Sequence, residues 1–107
     1  MINLSQLKEG MDLPEIKKVV RQANINRYAE VSRDFNPIHI DADYARQTPL
    51  GGTVAHGMLI LAYISQMMTA AFEESWVSDG KLIVRFKAPA RPGDTITASG
   101  KVRRVEK

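Results

Sequence analysis

An α+β fold, one long apolar helix held by a curved antiparallel sheet, is what this 107-residue sequence predicts, on three observations. From Gly57 to about Glu73 the residues Met58, Leu59, Ile60, Leu61, Ala62, Tyr63, Ile64, Met67, Met68, Ala70, Ala71 and Phe72 leave almost no polar face. A helix of that kind is buried on most of its sides. No other stretch is a helix large enough to surround it, so a sheet must. Residues 81–87 and 95–102 both alternate or nearly so, and Pro92-Gly93-Asp94 between them is turn chemistry.

The other elements follow in order. Residues 11–20 hold apolar positions at Met11, Leu13, Ile16, Val19 and Val20 around Pro14 and read as an opening strand. From about Gln22 the spacing of Ile25, Tyr28 and Ala29, with Val31 nearby, predicts a short helix to about Arg33. Pro37 pushes Asn36 out of the α region, so that helix has ended before it, and residues 32–39 form an ordered loop. Asp41 then caps a short helical turn through Asp43, Tyr44 and Ala45, and residues 48–52 form another loop. There is no internal repeat and no low-complexity linker, so residues 1–107 read as a single domain.

Composition narrows the class. The chain is 44% hydrophobic and 25% charged, with no cysteine, which excludes a disulfide scaffold, thiolate zinc sites and a cysteine nucleophile and makes the cytoplasm the expected compartment. A chain this short buries only about two-thirds of the surface its unfolded form exposes, so a partner subunit is expected to complete the core. Residues 47–72 lack any charged side chain, yet the densely apolar part runs only from Met58 to Phe72, short of the roughly 20 residues a bilayer needs. No membrane span is expected, and the N-terminus shows no signal pattern. The net charge of +3 hides an asymmetry: residues 81–107 carry eight Lys and Arg against Asp94 and Glu106, whereas residues 1–80 are net acidic. That basic quarter is spread through strand and turn and holds no aromatic beyond Phe86, so nucleic acid is not the expected partner.

Two places can carry chemistry. Asp34 and His39 stand five positions apart around Asn36-Pro37 at a helix end. A carboxylate and an imidazole suit general acid and base work, and a proline-stiffened loop can aim both at one point. A turn aspartate and a packed histidine are the bland alternative. Gly57, in the first turn of the long helix, has a backbone N–H without an intrahelical partner and no Cβ to keep an oxygen away; tight packing at the helix start explains the same glycine.

The run Tyr28-Ala29-Glu30-Val31-Ser32-Arg33-Asp34-Phe35-Asn36-Pro37-Ile38-His39, followed by Ala45, closely resembles the hydratase signature of the MaoC-like, (R)-specific enoyl-CoA hydratases. The likeness continues through Thr53-Val54-Ala55-His56-Gly57-Met58-Leu59 and through residues 85–94, Arg85 to Asp94, three separated blocks in the same order. It implies the hotdog fold, with two subunits joining sheets in a homodimer or higher homo-oligomer. It also implies water addition to trans-2-enoyl thioesters, giving (R)-3-hydroxyacyl thioesters, with no metal or other cofactor. By the same resemblance Asp34 and His39 are the catalytic pair, and the Gly57 N–H, at the positive end of the helix, binds the thioester oxygen. Asn36 is expected to fix the loop and help hold the water or His39, and Ser65 resembles the family position that supports the site by hydrogen bonding, a merely structural role being the alternative for either; His56 is expected to orient the helix start. Arg85, Lys87 and Arg91 lie where they would attract the phosphates of coenzyme A, or an acidic acyl carrier protein; solvated strand and turn charges are the alternative.

The chain departs from the pattern twice. Arg33 stands where the signature most often has Gly. The relatives' sheet continues with further C-terminal strands where this sequence reads only about three, so the expectation is a truncated form, a sheet finished by another subunit, or a minimal domain. Two other functions compete with hydration: a thioesterase, against which the long helix offers no acidic residue from Gly57 to Phe72, and a non-catalytic acyl-thioester or protein-binding module.

Overall fold

The computed structural model describes residues 2–106. After a 3-10 turn at Leu4–Gln6 come strand β1 (Ile16–Val19), helices α1 (Gln22–Ser32), α2 (Pro37–Ile40), α3 (Ala42–Arg46), α4 (Gly57–Phe72) and α5 (Glu74–Asp79), and strand β2 (Thr95–Ala98). The strands form a two-stranded antiparallel sheet. The residues gather into two compact units, one made of Lys18–Leu61 and Phe86–Ile96, the other of residues up to Lys17, Ala62–Arg85 and residues from Thr97 onward.

The first unit is built on Val20, Ile25, Ala55 and Ala90, with Leu59, Ile60 and Ile96 packed against them. α1 presents Ile25 and Ala29, one helical turn apart, as its buried pair. Its C-terminus is closed by Arg33 in the left-handed region (φ 64°, ψ 20°), a place glycine ordinarily takes. Pro92 and Gly93 (φ 96°) occupy the central positions of a turn closed by the Asp94 N–H donating to the Arg91 carbonyl at 3.0 Å, the residues a type II turn calls for. That turn docks on Val20, whose N–H donates to the Asp94 carbonyl and whose carbonyl accepts from the Gly93 N–H, both at 2.8 Å.

In the second unit the Leu13 N–H donates to the Gly100 carbonyl (2.8 Å), and Asp12 and Lys101 form an antiparallel bridge. Gly100 lets the chain approach closely there: a Cβ would lie 3.2 Å from Leu13 Cδ1 and push that methyl aside by a few tenths of an ångström. Met67 and Ala71 are the buried residues of α4, and the Ile2 N–H donates to the Ala71 carbonyl at 2.7 Å.

Four expectations need correcting. Residues 81–87 join no ladder among the described residues; all are exposed, Ile83 completely, because an alternating segment is a strand only when a neighbour takes its backbone groups. The Pro92–Gly93–Asp94 turn therefore does not close a hairpin with that segment but serves the pairing with Val20. Pro37 does not sit in a loop; it is the first residue of α2, where its fixed φ and missing N–H are both compatible with a helix start. Finally, α4 is less covered than its composition predicts: Met58 is 57% exposed, and most of its other large apolar side chains are half-buried.

Candidate functional site

The chemistry-bearing residues of the first unit converge where α1 ends, α2 begins and α4 begins. Arg33 turns the chain left-handed and Asp34 follows it. The Asn36 N–H donates to Asp34 Oδ1 at 3.3 Å, and the Asn36 side-chain oxygen accepts from the Ile38 N–H at 3.2 Å, capping α2. Asn36 thus shapes the segment between the two candidate proton-transfer residues. α2 is one turn long and carries His39 near its end.

His39 is fixed from several directions. Its Nδ1 lies 2.8 Å from the Val54 carbonyl oxygen, which can only accept, so Nδ1 carries the hydrogen and Nε2 is left for other work. Its own carbonyl accepts from Gln22 Nε2 at 2.8 Å, while Gln22 Oε1 accepts from the Thr53 hydroxyl at 2.7 Å. His39 is half-buried, and its ring stacks on that of His56 with centroids 3.8 Å apart and planes inclined by 27°. His56 is 2% exposed, and its Nε2 donates to the Asp34 carbonyl at 3.0 Å. One ligand atom from each of Asp34, His39 and His56 falls within 4.8 Å of the others. These three side chains could lend atoms to a cation. Stacked rings inclined by only 27° do not aim their in-plane nitrogens at a common point about 2.1 Å from both, however, so as placed they are not a metal site.

Next along the chain is Gly57. The Leu59 and Ile60 N–H groups both donate to the His56 carbonyl, at 3.0 and 3.4 Å, whereas the Gly57 N–H has no acceptor among the described residues. Gly57 is exposed. It lines a cavity of about 630 Å³ together with Ala55, Ile60, Phe86, Lys87, Ala88, Pro89, Ala90 and Ile96. A Cβ on Gly57 would stand 3.1–3.3 Å from the Phe86 ring, so a larger residue here would have to displace that exposed ring by a few tenths of an ångström. An unpaired N–H at a helix start, on a residue that lines an apolar cavity with Lys87 on its wall, is suited to an oxygen that gains negative charge.

The structure therefore brings Asp34, Asn36, His39 and Gly57 into one unit and puts Lys87 on the cavity beside Gly57. Arg91, half-buried, belongs to the same unit, its guanidinium near Gly52. Ser65 and Arg85 belong to the other unit. The Ser65 hydroxyl there accepts from the Trp76 indole N–H at 2.9 Å, and Arg85 is exposed. Sequence reasoning missed Gln22, whose amide ties the His39 backbone to Thr53. A glutamine at the first position of an amphipathic helix carries no signal of such a task.

The comparisons with known proteins bear on the family and the fold. Residues 5–107 match the MaoC like domain. The (R)-specific enoyl-CoA hydratase of Rhodospirillum rubrum is 34% identical over 93 residues, which are 87% of this chain and 64% of that protein. Among solved structures, the R-hydratase of Pseudomonas aeruginosa superposes with a TM-score of 0.79 at 29% identity, over 96% of this chain and 66% of that one. The (R)-hydratase of A. caviae does so with 0.76 at 26%, over 95% and 76%. The chain spans about half to two-thirds of the length of the first curated relatives it matches. With one match running through nearly all of its residues and hydratase structures superposing on the same span, the chain belongs to the MaoC-like domain family and has its hotdog fold.

Proposed function

We propose that this domain is a hydratase/dehydratase that adds water to trans-2-enoyl thioesters to give (R)-3-hydroxyacyl thioesters, and runs the reverse. The observation that carries the reading is the gathering of Asp34 and His39, with the unpaired Gly57 N–H three residues after the carbonyl that holds His39 Nδ1 and one after the ring on which His39 stacks. The named relatives, hydratases of the same substrate class, support it.

Water is a poor nucleophile and the enoyl β-carbon a modest electrophile, so the reaction needs a base, an acid and a stabiliser of enolate charge. The Asp34 carboxylate takes a proton from water as its oxygen bonds to the β-carbon. Charge moves to the thioester oxygen, where the Gly57 N–H meets it at the positive end of α4. The proton taken from water passes from Asp34 to the lone pair of His39 Nε2, which is open because Nδ1–H is held by the Val54 carbonyl, and His39 delivers it to the α-carbon. Water has been divided between the two carbons and the site is as it began; neither metal nor redox cofactor takes part.

Lys87 on the cavity wall, with Arg91 and Arg85 in the same basic stretch, supplies attraction for the phosphates of coenzyme A or of the phosphopantetheine on an acyl carrier protein. No helix among the described residues is long and apolar enough to cross a membrane, and the absence of cysteine suits the cytoplasm. The exposed Met58, Ile83 and Phe86 favour a homodimer or higher homo-oligomer. The test is incubation with crotonyl-CoA. Loss of the enoyl absorbance without release of free thiol supports hydration; free thiol points instead to a thioesterase, and binding without turnover to a non-catalytic module.

A further inference from the structure

The proposed chemistry uses Asp34, His39 and Gly57 and leaves over the most deeply buried polar side chain beside them, His56. Its hydrogen bonds define its tautomer. Nε2 faces the Asp34 carbonyl oxygen, an acceptor only, so the hydrogen is on Nε2. Nδ1 is buried with no partner among the described residues, and a second hydrogen there would be a buried donor without an acceptor. The ring is held between Tyr28, 4.8 Å away and tilted by 53°, and His39, 3.8 Å away and stacked.

The loop that carries Asp34 has little else to hold it. Residues 33–36 are all exposed, and their remaining hydrogen bonds reach no more than three residues along the chain. The bond from His56, 22 residues away, is their one long-range hydrogen bond among the described residues. His39 is gripped by the same segment, its edge by the Val54 carbonyl and its face by the His56 ring.

The geometry points to His56 as a positioning residue that sets the two proton-transfer groups in one register: its Nε2–H clamps the main chain at Asp34, and its ring is the surface on which the His39 imidazole lies. The inference rests on the hydratase reading and adds to it a group that touches no substrate. Two substitutions divide the role. His56→Phe keeps the stacking face and deletes the clamp, releasing Asp34; His56→Gln keeps a donor and deletes the face, releasing His39.

Each is expected to lower kcat on crotonyl-CoA about a hundredfold, the scale of a roughly 1 Å misplacement, with little change in KM. In an Asp34→Asn background His56→Phe is expected to cost nothing further, and likewise His56→Gln in a His39→Gln background, because a group that acts through another has no effect once that other is gone. A loss that persists in full in the matching background means a merely structural role and overturns the proposal. Ring-nitrogen NMR of the 107-residue chain gives an answer independent of turnover. The parental protein is expected to show His39 as the single Nδ1–H tautomer and His56 as Nε2–H, and His56→Gln to turn His39 into a mixture. A parental chain that does not hydrate crotonyl-CoA overturns the function proposed above, whereas a His39 that is already mixed in the parent, or unchanged in His56→Gln, overturns the role of His56. If His56→Phe does not fold, His56→Gln carries both readouts.

Discussion

A carboxylate and an imidazole five residues apart become a pair here because each is anchored by what lies beside it. Asn36 caps α2 and donates its N–H to Asp34, while Val54 fixes the tautomer of His39. If Asp34 is the base and His39 the acid, Asp34→Asn and His39→Gln each lower kcat by about 10²–10⁴-fold, the usual contribution of one proton-transfer group, while the circular dichroism spectrum stays parental. Near-parental turnover in either variant removes that residue's role. Arg33 holds a left-handed conformation that disfavours a side chain by about 1 kcal/mol. Arg33→Gly is expected to raise the melting temperature by about 4–8 °C for a domain of this size, and an unchanged or lower value contradicts the assigned strain.

At the scale of elements, what the sequence shows is what local chemistry decides. α1 was legible from Ile25 and Ala29, the Asp41 cap from its side chain, which accepts from the Tyr44 N–H at 3.0 Å, and the start of α4 from the glycine before an apolar run. What depends on distant partners was not. Residues 81–87 alternate as a strand would but have no neighbouring ladder, and α5 follows a sharp break at Glu73 (φ 49°, ψ −125°) that no residue type announces. The same division holds for the site. Asp34, His39 and Gly57 stand out by type and spacing, whereas Gln22 acts through contacts 17 and 31 residues away. Asn36→Ala removes the cap of α2 and is expected to cost about 1 kcal/mol, with Asn36→Asp retaining most of it; urea denaturation of the two variants checks this. Gly80→Ala drives a Cβ into the side chain and carbonyl of Trp76, and is expected to destabilise the chain by about 1–3 kcal/mol in the same assay. Equal stability to the parent in either Ala variant contradicts the packing described.

For the whole molecule, the family and its fold are established by a match over residues 5–107, and the catalytic reading is the proposal built on it. Leu82, Ile83, Val84 and Phe86 stand in a row with 41%, 100%, 43% and 55% of their surfaces exposed, and Met58 adds 57%. Apolar area of this kind favours association by about 25 cal/mol per Å² buried, so sedimentation at micromolar concentration is expected to give a dimer or larger species. A well-folded species of 11.9 kDa contradicts that expectation. Stereospecific hydration by Asp34 and His39 is read from the configuration of the product. The parental chain is expected to convert crotonyl-CoA to (R)-3-hydroxybutyryl-CoA, and Asp34→Asn to form almost none. An (S) or racemic product, or equal product from Asp34→Asn, contradicts the account.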